Sequence, residues 1–143
     1  MTADSGAPQR QSLGFLLLYA LAAAGGAIAY VPFLTLLLPA RVADLAGAAD
    51  VQWLGYITFF GALAASAAGI LFGWLSDRTG GRRLWIAAGL VLTIALLLAM
   101  PLARDVPALL GLIVAWQLAL NMMLGPLSAW AGDVVPDAQK GLL

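Results

Sequence analysis

Four apolar stretches divide this chain: Leu13 to Leu38, Val51 to Leu75, Leu84 to Ala103 and Pro107 to Ala131. No charged residue interrupts any of them; the charges gather in the segments between. About twenty apolar residues in a helix cross the roughly 30 Å hydrocarbon layer of a bilayer. In that layer every backbone N–H and C=O must be paired internally, which leaves helices or closed barrels. Uninterrupted runs of this length, without polar alternation, exclude barrel strands. The pattern therefore predicts an all-α membrane protein with four transmembrane helices, over about 12–38, 51–75, 84–103 and 107–131. A first run of this length would reach about 39 Å as a helix, so it must tilt or bend. Gly25-Gly26 and Pro32 offer places to bend. Ala22 to Ala24 could mimic a signal-peptide cleavage site, but the apolar run continues well past them.

The overall balance agrees. Hydrophobic residues make up 63% and charged residues 10%, against roughly a quarter charged in soluble domains. Residues 1–11 read as a disordered cytoplasmic tail, and 12–143 as one membrane domain. Four spans place both termini on one side. That side holds Arg10, Arg78, Arg82, Arg83 and Lys140, and the other only Arg41 and Arg104, which accounts for all seven basic residues. The positive-inside rule makes the richer side cytoplasmic. The expected location is a bacterial-type inner (plasma) membrane.

Several function classes drop out. Cysteine and histidine are absent, and every acid is an aspartate. No zinc site built on His or Cys and no Ser-His-Asp triad can form. We expect no enzyme, no metal and no cofactor. Net charge is zero, which removes the electrostatic basis for binding nucleic acid. The expected partners are the lipid bilayer and a small-molecule substrate.

The helix faces carry further expectations. Gly55, Thr58, Ala62, Ala65, Gly69 and Gly73 share one face of the second helix, a strip of small residues suited to close packing in lipid. Tyr19 and Tyr30 lie near one face of the first helix. Gln117 and Asn121 share a face of the fourth, at mid-span. Buried amides there either bond a neighbouring helix or line a wet path. These four residues are the candidates for a substrate path, although interhelical bonding is the simpler role for the amides. No ionisable group sits deep in any span, which removes the usual mark of ion coupling. Trp53, Trp74, Trp85 and Trp130 fall near helix ends, where indoles anchor at the interface.

The densest charge lies in Gly73-Trp74-Leu75-Ser76-Asp77-Arg78-Thr79-Gly80-Gly81-Arg82-Arg83, the turn expected between the second and third helices. This stretch resembles the signature loop between helices 2 and 3 of the major facilitator superfamily, G-x-L-x-D-R-x-G-R-R. Gly73, Leu75, Asp77, Arg78, Gly80 and Arg82 match in place. Gly81 departs where the family has a basic residue, and Arg83 follows two positions later in the run. A second segment, Asp133-Val134-Val135-Pro136 through Lys140-Gly141, is similar to the family's E-x-x-P-x-x-x-R-G after helix 4, with Asp for Glu and Lys for Arg. The resemblance implies a secondary carrier of which this chain supplies the first four helices, completed by missing C-terminal helices or an oligomeric partner. It also implies a cytoplasmic gating loop. Asp77 would cap or pair near a helix end, Arg78 and Arg82 would pair with acids including Asp133, and Gly73 and Gly80 would permit close approach and the turn. Arg83, Pro136 and Lys140 complete that set.

Two other readings fit four helices. A small oligomeric exporter of the multidrug type depends on a membrane-embedded glutamate, which this chain lacks. A non-transporting scaffold subunit is compatible with the composition.

Overall fold

The computed structural model describes residues 10–136. Expectations for residues 1–9 and for Lys140 and Gly141 fall outside them. The described residues are all helical or in turns, with no strand. They include three helical stretches long and apolar enough to cross a membrane, Leu13–Thr79, Arg82–Leu102 and Val106–Val134.

The first stretch is folded on itself. Helix α1 spans Leu13–Pro32 and starts at Ser12, whose hydroxyl accepts from Phe15 N–H at 3.2 Å. Pro32 lacks an N–H, and the helix widens immediately after it into a π-helical turn, Phe33–Leu37. Thr35 Oγ1 donates to the Val31 carbonyl there, at 2.8 Å. Helix α2, Leu38–Ala46, carries Pro39 in its first turn, where no donor is needed. Gly47, with φ 54° and ψ −124°, then breaks the axis. One 3₁₀ turn, Gly47–Ala49, leads into α3, Asp50–Thr79, which packs back against α2.

Helix α4 spans Arg82–Ala99 and ends in a 3₁₀ turn, Met100–Leu102. Asp105 caps α5, Val106–Val134, accepting from Ala108 N–H at 2.7 Å. Four rods result, with α3 parallel to α5, and α1–α2 and α4 antiparallel to it. This direction follows from the contacts. Phe15 meets Trp130 and Phe33 meets Trp116 on the first rod. Gly61 faces Gln117 and Gly69 faces Asn121 on α3, and Gly89 meets Met123 on α4.

Helix boundaries differ from the sequence expectation in two places. The Arg41–Asp50 connection is helical as far as Ala46. The Gly73–Arg83 segment is mostly helix as well: Gly73–Thr79 closes α3, Arg82-Arg83 opens α4, and only Gly80-Gly81 turns. Charged residues at a helix end do not stop the helix. What stops α3 is Gly80, which takes the left-handed conformation at φ 66° and donates its N–H to the Ser76 carbonyl at 3.1 Å.

Helix α5 is the centre. It makes the most extensive contacts with both α3 and α4, which barely touch one another. Trp116 of α5 is fully buried, stacked on Tyr30 at 5.6 Å and edge-on to Phe33 at 5.0 Å. Around it Val42, Ile57, Leu109, Ile113 and Leu120 form the core, in the half of the bundle near Arg41. Large apolar side chains such as Leu17, Ile28, Phe59, Ile70 and Val91 point outward. That is the surface lipid tails require, since they are as apolar as leucine.

The small-residue strip is displaced by part of a turn. The buried edge of α3 runs through Ile57, Gly61, Ala68 and Ser76, whereas Thr58 and Ala62 are exposed. Gly69 and Gly73 flank the contact, and both approach Gly125 of α5. Of the described glycines, Gly89 is the most tightly enclosed. A Cβ built there would lie 2.6 Å from Met123 N and 2.9 Å from the Ala119 carbonyl oxygen.

Candidate functional site

The ends of α3, α4 and α5 converge on Arg82. Because α4 starts only two residues after α3 stops, Arg82 emerges beside the last turn of α3. Its Nη2 pairs with Asp77 Oδ1 at 2.5 Å, and its Nε donates to the same oxygen at 3.1 Å. Its Nη1 pairs with Asp133 Oδ2, also at 2.5 Å. Asp133 lies in the last turn of α5. One guanidinium thus joins a carboxylate from each neighbouring helix, and its fixed fork suits that task. The arginine side chain is 24% exposed, and the two aspartates are 53% and 65% exposed.

All three charges stand at unfavourable ends of helix dipoles. Asp77 and Asp133 lie near C-termini, where the field favours cations, and Arg82 lies at an N-terminus, where it favours anions. Each placement costs roughly 0.3–1 kcal/mol. The ion pairs offset this: exposed pairs contribute ~0–1 kcal/mol each. The two terms are of similar size, so the cluster holds the helix ends together only while all three members are engaged. Removing Arg82 leaves two carboxylates facing helix C-termini with no counter-charge.

The neighbours complete the site. Arg78 stacks over the Trp74 ring at 5.0 Å, and among the described residues it forms no ion pair. A guanidinium held on an indole face at the interface gains from the ring quadrupole and keeps its head in water. Trp85 Nε1 donates to Thr79 Oγ1 at 2.8 Å across the Gly80-Gly81 turn. Ser76 is fully buried, its hydroxyl donating to the Gly73 carbonyl at 2.8 Å. Arg83 is exposed, and Pro136 follows the end of α5. A cavity of about 700 Å³ opens beside the cluster, lined by Ser76, Asp77, Gly80, Arg82, Arg83 and Trp130. Ser76, Thr79 and Trp130 were not singled out as site residues from sequence. Ser76 lies three residues from Gly73 and seven from Gly69, so it continues the face of the small-residue strip, which is the signal that points to it.

The second set of candidates separates. Tyr30 and Gln117 both line a cavity of about 390 Å³ between α1, α3 and α5, together with Thr58 and Gly61. Gln117 is buried at 4% exposure. Asn121, one turn further along, instead donates from Nδ2 to the Gln117 carbonyl of its own helix at 2.9 Å, and its Oδ1 faces Gly69. Tyr19 lies three turns from Tyr30 along α1, half-buried and away from the lining of this cavity. The structure therefore brings together Tyr30 and Gln117, but not all four.

No known protein family, curated protein or solved structure matches the chain.

Proposed function

We propose that these helices form part of a secondary carrier of the major facilitator type that moves a small solute across a bacterial-type inner membrane. In this reading all four rods span the bilayer, with the Arg82 cluster on the cytoplasmic face. The cluster is a latch. Closed, as here, it draws the ends of α3, α4 and α5 together and favours the state that opens to the opposite side. Broken, it lets those ends separate. Conformers within about 1 kcal/mol of each other are rebalanced by contacts of this size. The solute is met at mid-membrane, where carriers of this kind place it, against Tyr30 and Gln117.

The observation that supports this reading is the sharing of one arginine between Asp77 and Asp133, from two different helices. A residue needed only to set topology would not require two acids at matched positions.

The chain has no cysteine, so single probes report without background. Ala131→Cys places a thiol at a buried position close to the cluster. A membrane-impermeant maleimide on the cytoplasmic side should label it slowly in the parent and several-fold faster with Asp77→Asn. Vesicles carrying the chain are screened in parallel for uptake of sugars, amino acids and organic cations, and Asp77→Asn should lower the uptake found. Equal labelling in both proteins would refute the latch, and unchanged uptake with Asp77→Asn in the complete carrier would refute its part in transport.

A further inference from the structure

At the end of the bundle opposite the cluster, a groove of about 650 Å³ lies between the first rod and the end of α4. Its walls include Ile28, Phe33, Leu37, Leu97 and Met100, and its one charged residue is Arg41. Ile28 and Leu37 are exposed, so the groove opens toward the hydrocarbon. Ile28 and Arg41 are thirteen residues apart in sequence, roughly 20 Å along a helix. The groove is therefore long, apolar and capped by a cation at the level of a helix end. Its volume lies in the range of about 300–1,000 Å³ typical of ligand sites.

Arg41 is underused by the protein. Only Nη2 is engaged, donating to the Ala103 carbonyl at 2.9 Å and the Pro101 carbonyl at 3.5 Å. Nε is buried without a hydrogen-bond partner. Among the described residues no carboxylate lies within ion-pairing distance of Arg41. Asp44, one turn along the same helix, does not pair with it, and Asp105 is occupied in capping α5. Arginine cannot shed its charge, and a partly buried cation at a membrane boundary is costly until it meets an anion. A phosphodiester offers two oxygens that match the guanidinium fork.

We propose that this groove binds one acyl chain of an anionic membrane phospholipid, whose phosphodiester is held by Arg41. The proposal requires only that the chain lies in a bilayer, not that it transports. A net anionic lipid is favoured over a zwitterionic one because the latter carries its own ammonium, which competes with Arg41 for the phosphate.

The test uses the full chain in nanodiscs of equal phosphatidylglycerol and phosphatidylcholine, with retained lipid counted by native mass spectrometry. The parent should keep phosphatidylglycerol in preference, and its unfolding temperature in detergent should rise with phosphatidylglycerol but not with phosphatidylcholine. Glycerol phosphate, the head without chains, should have no effect. Arg41→Gln should weaken retention about tenfold and Arg41→Lys less. Leu97→Trp, which fills the groove and leaves Arg41 intact, should also lose the lipid while keeping its helical circular dichroism. If Arg41→Gln does not fold, Leu97→Trp and the parent's own preference decide the matter. Equal retention of both lipids by the parent would overturn the proposal, as would undiminished retention by Leu97→Trp. Stabilisation by glycerol phosphate alone would reduce the site to a simple anion site. A dimer that Leu97→Trp dissolves, without lipid preference, would assign the groove to a second copy.

Discussion

Gly89→Ala should destabilise the bundle although alanine is the better helix former. Alanine gains up to ~1 kcal/mol over glycine inside an exposed helix. At Gly89 the added methyl would lie 2.6 Å from Met123 N, 2.9 Å from Met123 Cβ and 2.9 Å from the Ala119 carbonyl oxygen. Two of these atoms are backbone, so no rotamer change relieves them. Ordinary contact needs about 3.5 Å, so α4 and α5 must separate by about 0.9 Å. A gap of that size forfeits a quarter to a half of the dispersion energy of each opened contact. Overpacking of this kind costs about 1–3 kcal/mol, and backbone clashes put Gly89 toward the upper end. The matched control is Gly111→Ala, on the same bundle but with nothing within 4 Å of the new methyl. It should be neutral or stabilising by up to ~1 kcal/mol. The propensity gain is common to both variants, so they should differ by the overpacking cost alone, roughly 2–3 kcal/mol. Unfolding by dodecyl sulfate in mixed micelles, followed by tryptophan fluorescence and circular dichroism, reads the difference. If Gly89→Ala equals Gly111→Ala within about 0.5 kcal/mol, the close crossing of α4 and α5 is wrong.

Three further substitutions probe other parts of the fold. Gly80→Ala forces a side chain into the left-handed conformation at φ 66° and should cost about 1–2 kcal/mol, whereas Gly81→Ala, at φ −102° with open space around it, should be tolerated in the same unfolding assay. Arg82→Gln should speed maleimide labelling of Ala131→Cys at low ionic strength. Raising the salt should bring the parent toward that rate and leave Arg82→Gln little changed, because exposed pairs are screened; a salt-independent parent would speak against an ionic latch. Trp116→Ala should cost about 3–5 kcal/mol. Trp116→Phe, which removes an indole N–H that has no acceptor, should cost clearly less, again by dodecyl sulfate unfolding.

What could be read from the residues alone was the part governed by hydrocarbon. Apolar runs show where the helices run because lipid permits few alternatives. Helix ends were harder to read. Arg41 and Asp44, or Asp77 and Arg78, look like loop residues by composition, yet at an interface they extend a helix without penalty. Gly47 and Gly80 stop α2 and α3, and their positive φ is not visible in a glycine-rich string. The cluster was legible in its members but not in its wiring. Arg78 and Arg82 look equivalent along the chain, and the turn geometry sends one to Trp74 and the other to two acids. Trp116 differs from the other tryptophans in lying mid-run, away from any helix end. That was the available signal for the centre of the core, where interface anchoring cannot apply.

The central place of α5 also bears on how the protein is made. Synthesis proceeds from the N-terminus, so α1, α3 and α4 enter the membrane before α5 exists. Yet α3 and α4 share few contacts, and each packs mainly on α5. Before α5 arrives, α3 and α4 therefore have little to hold them to one another, which their apolar outer surfaces allow. Much of the packing among these helices then forms around α5 when it arrives. Chains interrupted before Val106 would present three helices joined only by the α2–α3 contact and the few between α3 and α4, a natural substrate for membrane quality control.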